Sequence, residues 1–208
     1  GKHMRKHTLA WVVLWGMTIV YTATGAAQPL SGEDGDARNL SLKHKKCQER
    51  IATVGHDYLR DRLIALQKCH DKFNRGKGLF LDRKKTQPIT GPSECADEFT
   101  TQTSLRKAGE SMRKQLERKC SDDLLDDLFA CGNTLDALVS EEGTFGCLLE
   151  THADVADDLI AQQYGPPIPS TDDGARQCQE EIALAGRNYA LKRLEKIQAC
   201  LLYTSPSP

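Results

Sequence analysis

"CQERIATVGHDYLRDRLIALQKC" (residues 47–69) and "CQEEIALAGRNYALKRLEKIQAC" (residues 178–200) stand 131 positions apart and agree at 11 of 23 positions. Both cysteines, the Gln-Glu pair after the first of them, and the later Gly, Tyr, Arg, Leu and Gln recur, which implies a duplicated unit. In the first copy Ile51, Val54, Tyr58, Leu59, Leu63 and Leu66 return at three- and four-residue steps, the mark of an amphipathic helix. Over 22 residues the second cysteine comes back to within about 40° of the first, but about 33 Å further along the axis. A disulfide needs Cα atoms within about 7 Å, so each cysteine must find its partner on another helix.

Residues 95–120, "CADEFTTQTSLRKAGESMRKQLERKC", offer one of matching length, with Phe99, Leu105, Ala108, Met112 and Leu116 as a weaker apolar stripe. The Gly-, Pro- and charge-rich connector 70–94 lets the chain reverse. An antiparallel hairpin then pairs Cys69 with Cys95 at the tip and Cys47 with Cys120 at the base. Each bridge contributes about 3 to 4.5 kcal/mol in the loop-entropy model, less when both are present.

Beyond Cys120 the sequence predicts a short helix in "SDDLLDDLFAC" capped by Ser121 or Asp122, a second in "NTLDALVSEE", and a longer one through "LLETHADVADDLIAQQYG" with Leu148, Val155, Leu159 and Ile160 inward and Gly165 as its stop. Cys131 and Cys147 are expected to pair. A stiff linker, residues 166–177, precedes the second copy. The rival pairing docks Cys178 and Cys200 on Cys131 and Cys147; eight cysteines allow 105 pairings, so spacing leaves the choice open. No stretch alternates as a strand. The expected fold class is all-α: a disulfide-stapled antiparallel helical hairpin or bundle built from a repeated unit, in one unit over residues 47–165 and a second, truncated one over 178–199.

The N-terminus reads as an export signal over residues 1–27, with "MRKH" as the basic region, an apolar run behind it and small residues in "TGAAQ" for cleavage near Ala27. An uncleaved anchor is the alternative, because residues 8–27 approach spanning length. Residues 28–46 read as a flexible linker. Export makes an even set of widely spaced cysteines a disulfide framework. Gaps of 11 to 31 residues lack the close pairs of a zinc half-site, and neither metal nor cofactor is implied. The expected location is secreted or periplasmic, with no stable membrane span after cleavage.

The pattern "CQ..I...G..Y...RL..LQ.C", with the later "TSLRKA...MRKQLERKC", resembles a group of exported bacterial proteins that contain cysteines and are built from repeated helical units. The likeness covers residues 47–120 and 178–198. It implies architecture and assigns no functional residue. The final "CLLYTSPSP" (residues 200–208) resembles a translated sequencing adapter, in which case the second unit is cut off.

Charge is lopsided. Residues 43–120 hold 19 basic and 10 acidic side chains, residues 121–199 only 5 basic and 16 acidic. The paired Arg106–Lys107, Arg113–Lys114 and Arg118–Lys119 are the candidate contacts to an anionic cell-envelope component or a partner protein; no nucleic-acid motif is present. Asp122, Asp123, Asp126 and Asp127 fit dipole capping better than calcium, whose sites draw ligands from loops. His152 reads as a hydrogen-bonded core residue, and His56 is Arg187 in the other copy. Neither a GxSxG, Walker nor HExxH motif occurs, so no enzyme is expected. The alternative function is a carrier holding a small apolar ligand in a groove lined by Phe99, Met112, Leu128 and Phe129.

Overall fold

The computed structural model describes residues 42–128, 133–165 and 172–203. The chain divides into units Gly1–Asp36 and Ala37–Pro208, and every described residue lies in the second. The signal segment, the greater part of the 28–46 linker, Phe129, Cys131 and the last five residues therefore lie outside the described residues.

Helices α1 (Leu42–Asn74), α2 (Phe99–Glu117), α3 (Asp122–Asp127), α4 (Leu135–Leu138), α5 (Cys147–Tyr164) and α6 (Asp173–Tyr203) follow in that order. No strand forms among the described residues; a lone bridge joins Phe80 to Pro88. Helix α1, about 50 Å long at 1.5 Å per residue, is the axis about which the other described helices pack. It packs against α2, α5 and α6, which is why its buried residues point in several directions: Val54 and Tyr58 one way, Leu59, Leu63 and Leu66 another. It begins inside the stretch read as linker, and α6 likewise begins within residues 166–177.

The hairpin of α1 and α2 is closed at both ends. Cys47 bonds Cys120 and Cys69 bonds Cys95, with Cα atoms 5.0 and 5.7 Å apart. All four cysteines are buried. Helix α2 is shorter than residues 95–120: Cys95 closes a single 3-10 turn, Pro92–Glu94, and Cys120 follows the last helical turn. Glu98 breaks the helix path with extended dihedrals and caps α2 by accepting from the backbone N–H and hydroxyl of Thr101, at 2.7 and 2.9 Å. Burial works against its charge, but these bonds hold its carboxyl below the usual range.

The connector is more than a place to reverse. Leu79 and Ile89 are buried beside the Cys69–Cys95 bridge, joined by Ile89 N–H donating to Leu79 C=O at 3.0 Å. At the turn, Asp82 accepts from the backbone N–H groups of Thr86 and Gln87.

One correction concerns the later helices. The two short helices expected after Cys120 form as α3 and α4. In α5 the inward side is Leu149, Ala156, Ile160 and Tyr164, while Val155 is 37% exposed and Leu148 and Leu159 are half-buried. The sequence reading favoured large apolar residues; the packing favours Ala156, whose small side chain admits a close helix–helix approach. Gly165, at φ +49°, ends α5. Cys147 is disulfide-bonded, and Cys131, its expected partner, lies outside the described residues.

Glycines mark the closest approaches. A Cβ on Gly109 of α2 would sit 2.0 Å from the Gly143 carbonyl oxygen, so the α4–α5 loop lies against the α2 backbone. A Cβ on Gly55 would meet His152 Nε2 at 2.7 Å, and one on Gly186 would meet Gln163 Nε2 at 2.6 Å. Helix α5 thus crosses α1 and α6 at the glycine each of them carries in the same place.

Candidate functional site

The six basic side chains of the hairpin do not form one exposed surface. Lys107, Lys114 and Arg118 fall at steps of seven and four along one side of α2, all exposed, and Lys119 is exposed just beyond the helix end. Arg106 is exposed but pairs with Glu110. Arg113 is a correction: its side chain is only 13% exposed, and it binds Glu117 at 3.0 Å, Asp136 at 2.6 Å and the carbonyl of buried Val139 at 2.6 Å. About 100° around the helix separates it from Lys114, which directs it into the α2–α4 contact rather than toward solvent. The surface ridge is therefore Lys107, Lys114, Arg118 and Lys119.

The expected ligand groove takes another form. A cleft of about 620 Å³ opens between α1, the start of α2 and the α4–α5 loop, lined in part by Tyr58, Arg62, Asp97, Phe99, Gln102 and Thr144. Of the four residues expected to line a groove, Phe99 reaches it. Met112 is packed in the core, Leu128 is half-buried there, and Phe129 lies outside the described residues. Arg62 at its wall is held by Asp157 of α5, its Nη2 2.9 and 3.0 Å from the two carboxylate oxygens.

The acidic run 122–127 is a helix start only in its first half; Asp126 and Asp127 close α3, and Asp127 lies 2.9 Å from His44 Nε2. Asp122 and Asp123 occupy the first turn of α3, and Asp122 also accepts from the Leu135 backbone N–H at 2.8 Å, tying α3 to α4. His152 Nδ1 lies 2.8 Å from the Leu148 carbonyl, and burial lowers its pKa despite that bond. Among the described residues no group of three His, Cys, Asp or Glu side chains is arranged to hold a metal ion. No helix among them is long and apolar enough to cross a membrane.

Sequence reasoning missed a polar seam where α1, α5 and α6 meet. Tyr164 Oη donates to Asp71 at 2.7 Å, and its backbone carbonyl accepts from Gln179 Nε2. Asn74 donates to Gln179 Oε1 at 2.8 Å. Gln67 Nε2 donates to Gln163 Oε1 at 3.0 Å and to the Ala183 carbonyl at 2.8 Å, while Arg187 donates to Gln67 Oε1. Burial, with the bond to Asp71, pushes the Tyr164 phenol up. His70 stacks on the Tyr164 ring with centroids 4.5 Å apart, and burial lowers its pKa to about 4. A satisfied network of this kind fixes the register of the helices. The glutamine shared by both copies, Gln67 and Gln198, was its available signal.

The opposite side of α6 differs. Ile182 and Tyr189 are 55% and 65% exposed, Cys178 is a free exposed thiol, and Cys200 is exposed on the same side. Comparison with protein-family models, with curated proteins and with solved structures returned no match.

Proposed function

We propose that this chain is an exported structural or interaction module, acting in an oxidising compartment, that presents its basic α2 ridge to an anionic component of the cell envelope. The observation that carries this reading is the hairpin bridged at both ends, Cys47–Cys120 and Cys69–Cys95. Disulfides form and persist in oxidising compartments, and two of them give a narrow pair of helices a surface that survives outside the cell. On that surface Lys107, Lys114, Arg118 and Lys119 stand exposed, spaced to track a linear polyanion.

The test is binding to an immobilised polyuronate. Affinity should fall about tenfold or more between low salt and about 0.5 M, where the screening length shrinks to a few ångströms. Replacing the four ridge residues by Glu should abolish it. Binding that is unchanged in the variant removes the ridge as the contact.

The 620 Å³ cleft supports a second reading, the carrier, since it matches the size of small-ligand sites. Its charged and amide lining then favours a polar ligand over an apolar one. An apolar fluorescent probe displaced by Phe99→Arg is the result that would restore the apolar carrier.

A further inference from the structure

Helix α6 carries on its outward side a second version of the stripe by which α1 holds α2. On α1 the stripe is Cys47, Ile51, Val54, Tyr58 and Cys69; 131 positions on, α6 has Cys178, Ile182, Ala185, Tyr189 and Cys200, four of the five identical. On α1 Cys47, Ile51, Val54 and Tyr58 share a core cluster with Ala108, Met112 and Leu116 of α2, and both cysteines of the stripe are bridged to the segment containing α2. On α6 the same residue types face outward, with Tyr189 65% exposed where Tyr58 is 6%.

The contact between α1 and α6 relates the two faces. Gln67 Nε2 donates to the Ala183 carbonyl at 2.8 Å, and Gln198 Nε2 donates to the Ala52 carbonyl at 3.0 Å. Gln198 is Gln67 plus 131, and Ala183 is Ala52 plus 131, so the two bonds are one contact made twice, in opposite directions. Such reciprocity is the signature of an isologous, two-fold pairing of antiparallel helices. The glycines obey the same operation: Gly55 meets α5 at His152 and Gly186 meets it at Gln163. An operation that exchanges α1 and α6 carries the α2-binding side of α1 onto the outward side of α6.

We infer that the outward face of α6 is a docking site for one further antiparallel helix of α2's kind, amphipathic and carrying a cysteine that bonds Cys178. This rests on the stapled-module reading. The departures from α1 specify the occupant further. Lys196 replaces Ala65 one turn before Cys200, so the helix should bring a carboxylate near its N-terminal cysteine, where its own dipole also favours one. Residues 95–120 already have that layout, with Asp97 and Glu98 following Cys95. The bond forms by exchange with a small-molecule disulfide. The Cys178 thiolate attacks glutathione disulfide and expels one glutathione thiolate; the partner's thiolate then attacks Cys178 sulfur and expels the second. Two protein thiols are oxidised, one glutathione disulfide is reduced to two glutathiones, and the two thiol protons pass to them.

The experiment incubates the full chain in a glutathione redox buffer with an isotopically labelled synthetic peptide of sequence 95–120. Peptide mapping should find Cys178 joined to the peptide's C-terminal cysteine, as Cys47 is to Cys120. Tyr189→Asp and Ile182→Asp, at exposed positions, should each lower adduct formation about tenfold while leaving the thermal transition in place. Equal capture of a scrambled peptide with the same cysteine positions overturns the inference. So does indifference to Tyr189, or a disulfide-linked pair of whole chains joined α6 to α6. The same map separates the two ideas: loss of Cys47–Cys120 and Cys69–Cys95 in the exported protein defeats the stapled module, whereas intact bridges without peptide capture defeat the docking site alone.

Discussion

Helices α1 and α6 share nearly half of their aligned residues and meet opposite fates. The tyrosine common to both is buried on α1 and exposed on α6; the cysteines common to both are bridged and buried on α1, exposed on α6. Nothing within the 23 residues accounts for this. The difference is α2, which covers one stripe and has no counterpart on the other among the described residues. An amphipathic pattern therefore states what a helix is able to bury, and the remainder of the fold decides whether it does.

The contrast can be broken most strongly at the staples. Replacing Cys47 and Cys120 by Ser should cost about 4 kcal/mol by the loop-entropy relation, with the 73-residue loop effectively shortened by the inner Cys69–Cys95 bridge, read as a lower urea midpoint under non-reducing conditions. Serine at Cys178 should leave the midpoint of the isolated chain nearly unchanged, because that thiol is exposed and unbridged.

The two tyrosines come next. Tyr58→Ala empties a packed position between α1 and α2 and should lose about 3 kcal/mol, whereas Tyr189→Ala should stay within about 0.5 kcal/mol. Similar losses at the two sites would mean that α6 is covered in solution, and would favour the further docked helix.

The glycines sharpen the comparison at a smaller scale. Ala gains about 1 kcal/mol of helix propensity over Gly in a helix interior, but at Gly55 its methyl meets an imidazole held by the Leu148 carbonyl. At Gly186 it meets the end of the Gln163 side chain, which has more freedom to turn aside. Gly55→Ala should be net destabilising by about 1 kcal/mol and Gly186→Ala near neutral, by thermal melting of each.

Acid sensitivity probes the α1–α5 junction through charge. His70 has a folded pKa of about 4, below its ordinary unfolded value near 6.5, so unfolding takes up a proton between those two pH values. Its stabilising contribution is whole above the upper value and is lost as pH falls toward the lower one. His152 is shifted in the same direction. Stability measured from pH 7 to 4 should decline, and His70→Gln should flatten part of that decline.

Much of the architecture was legible beforehand because helical periodicity and the reach of a disulfide are local, one-dimensional constraints. Cysteines at 47, 69, 95 and 120 on two rods of similar length admit few arrangements. The inward side of α5 was misjudged because Ala156 is selected by proximity to α1, a property of the assembled helices. Arg113 was misassigned for a related reason: it is one of several cations on α2, and only the position of Val139 and Asp136 turns it inward.

The amino-acid sequence alone determined the helical class, the reversal between residues 70 and 94, and which thiols lie at matching distances, since these follow from residue spacing and backbone geometry. Tertiary structure alone decided that α6 lies antiparallel to α1 through reciprocal glutamine bonds, and that α5 spans them at Gly55 and Gly186. Those outcomes depend on which of several apolar faces meet first and on polar groups finding partners across more than a hundred residues, and such pairings leave no periodic trace in the chain.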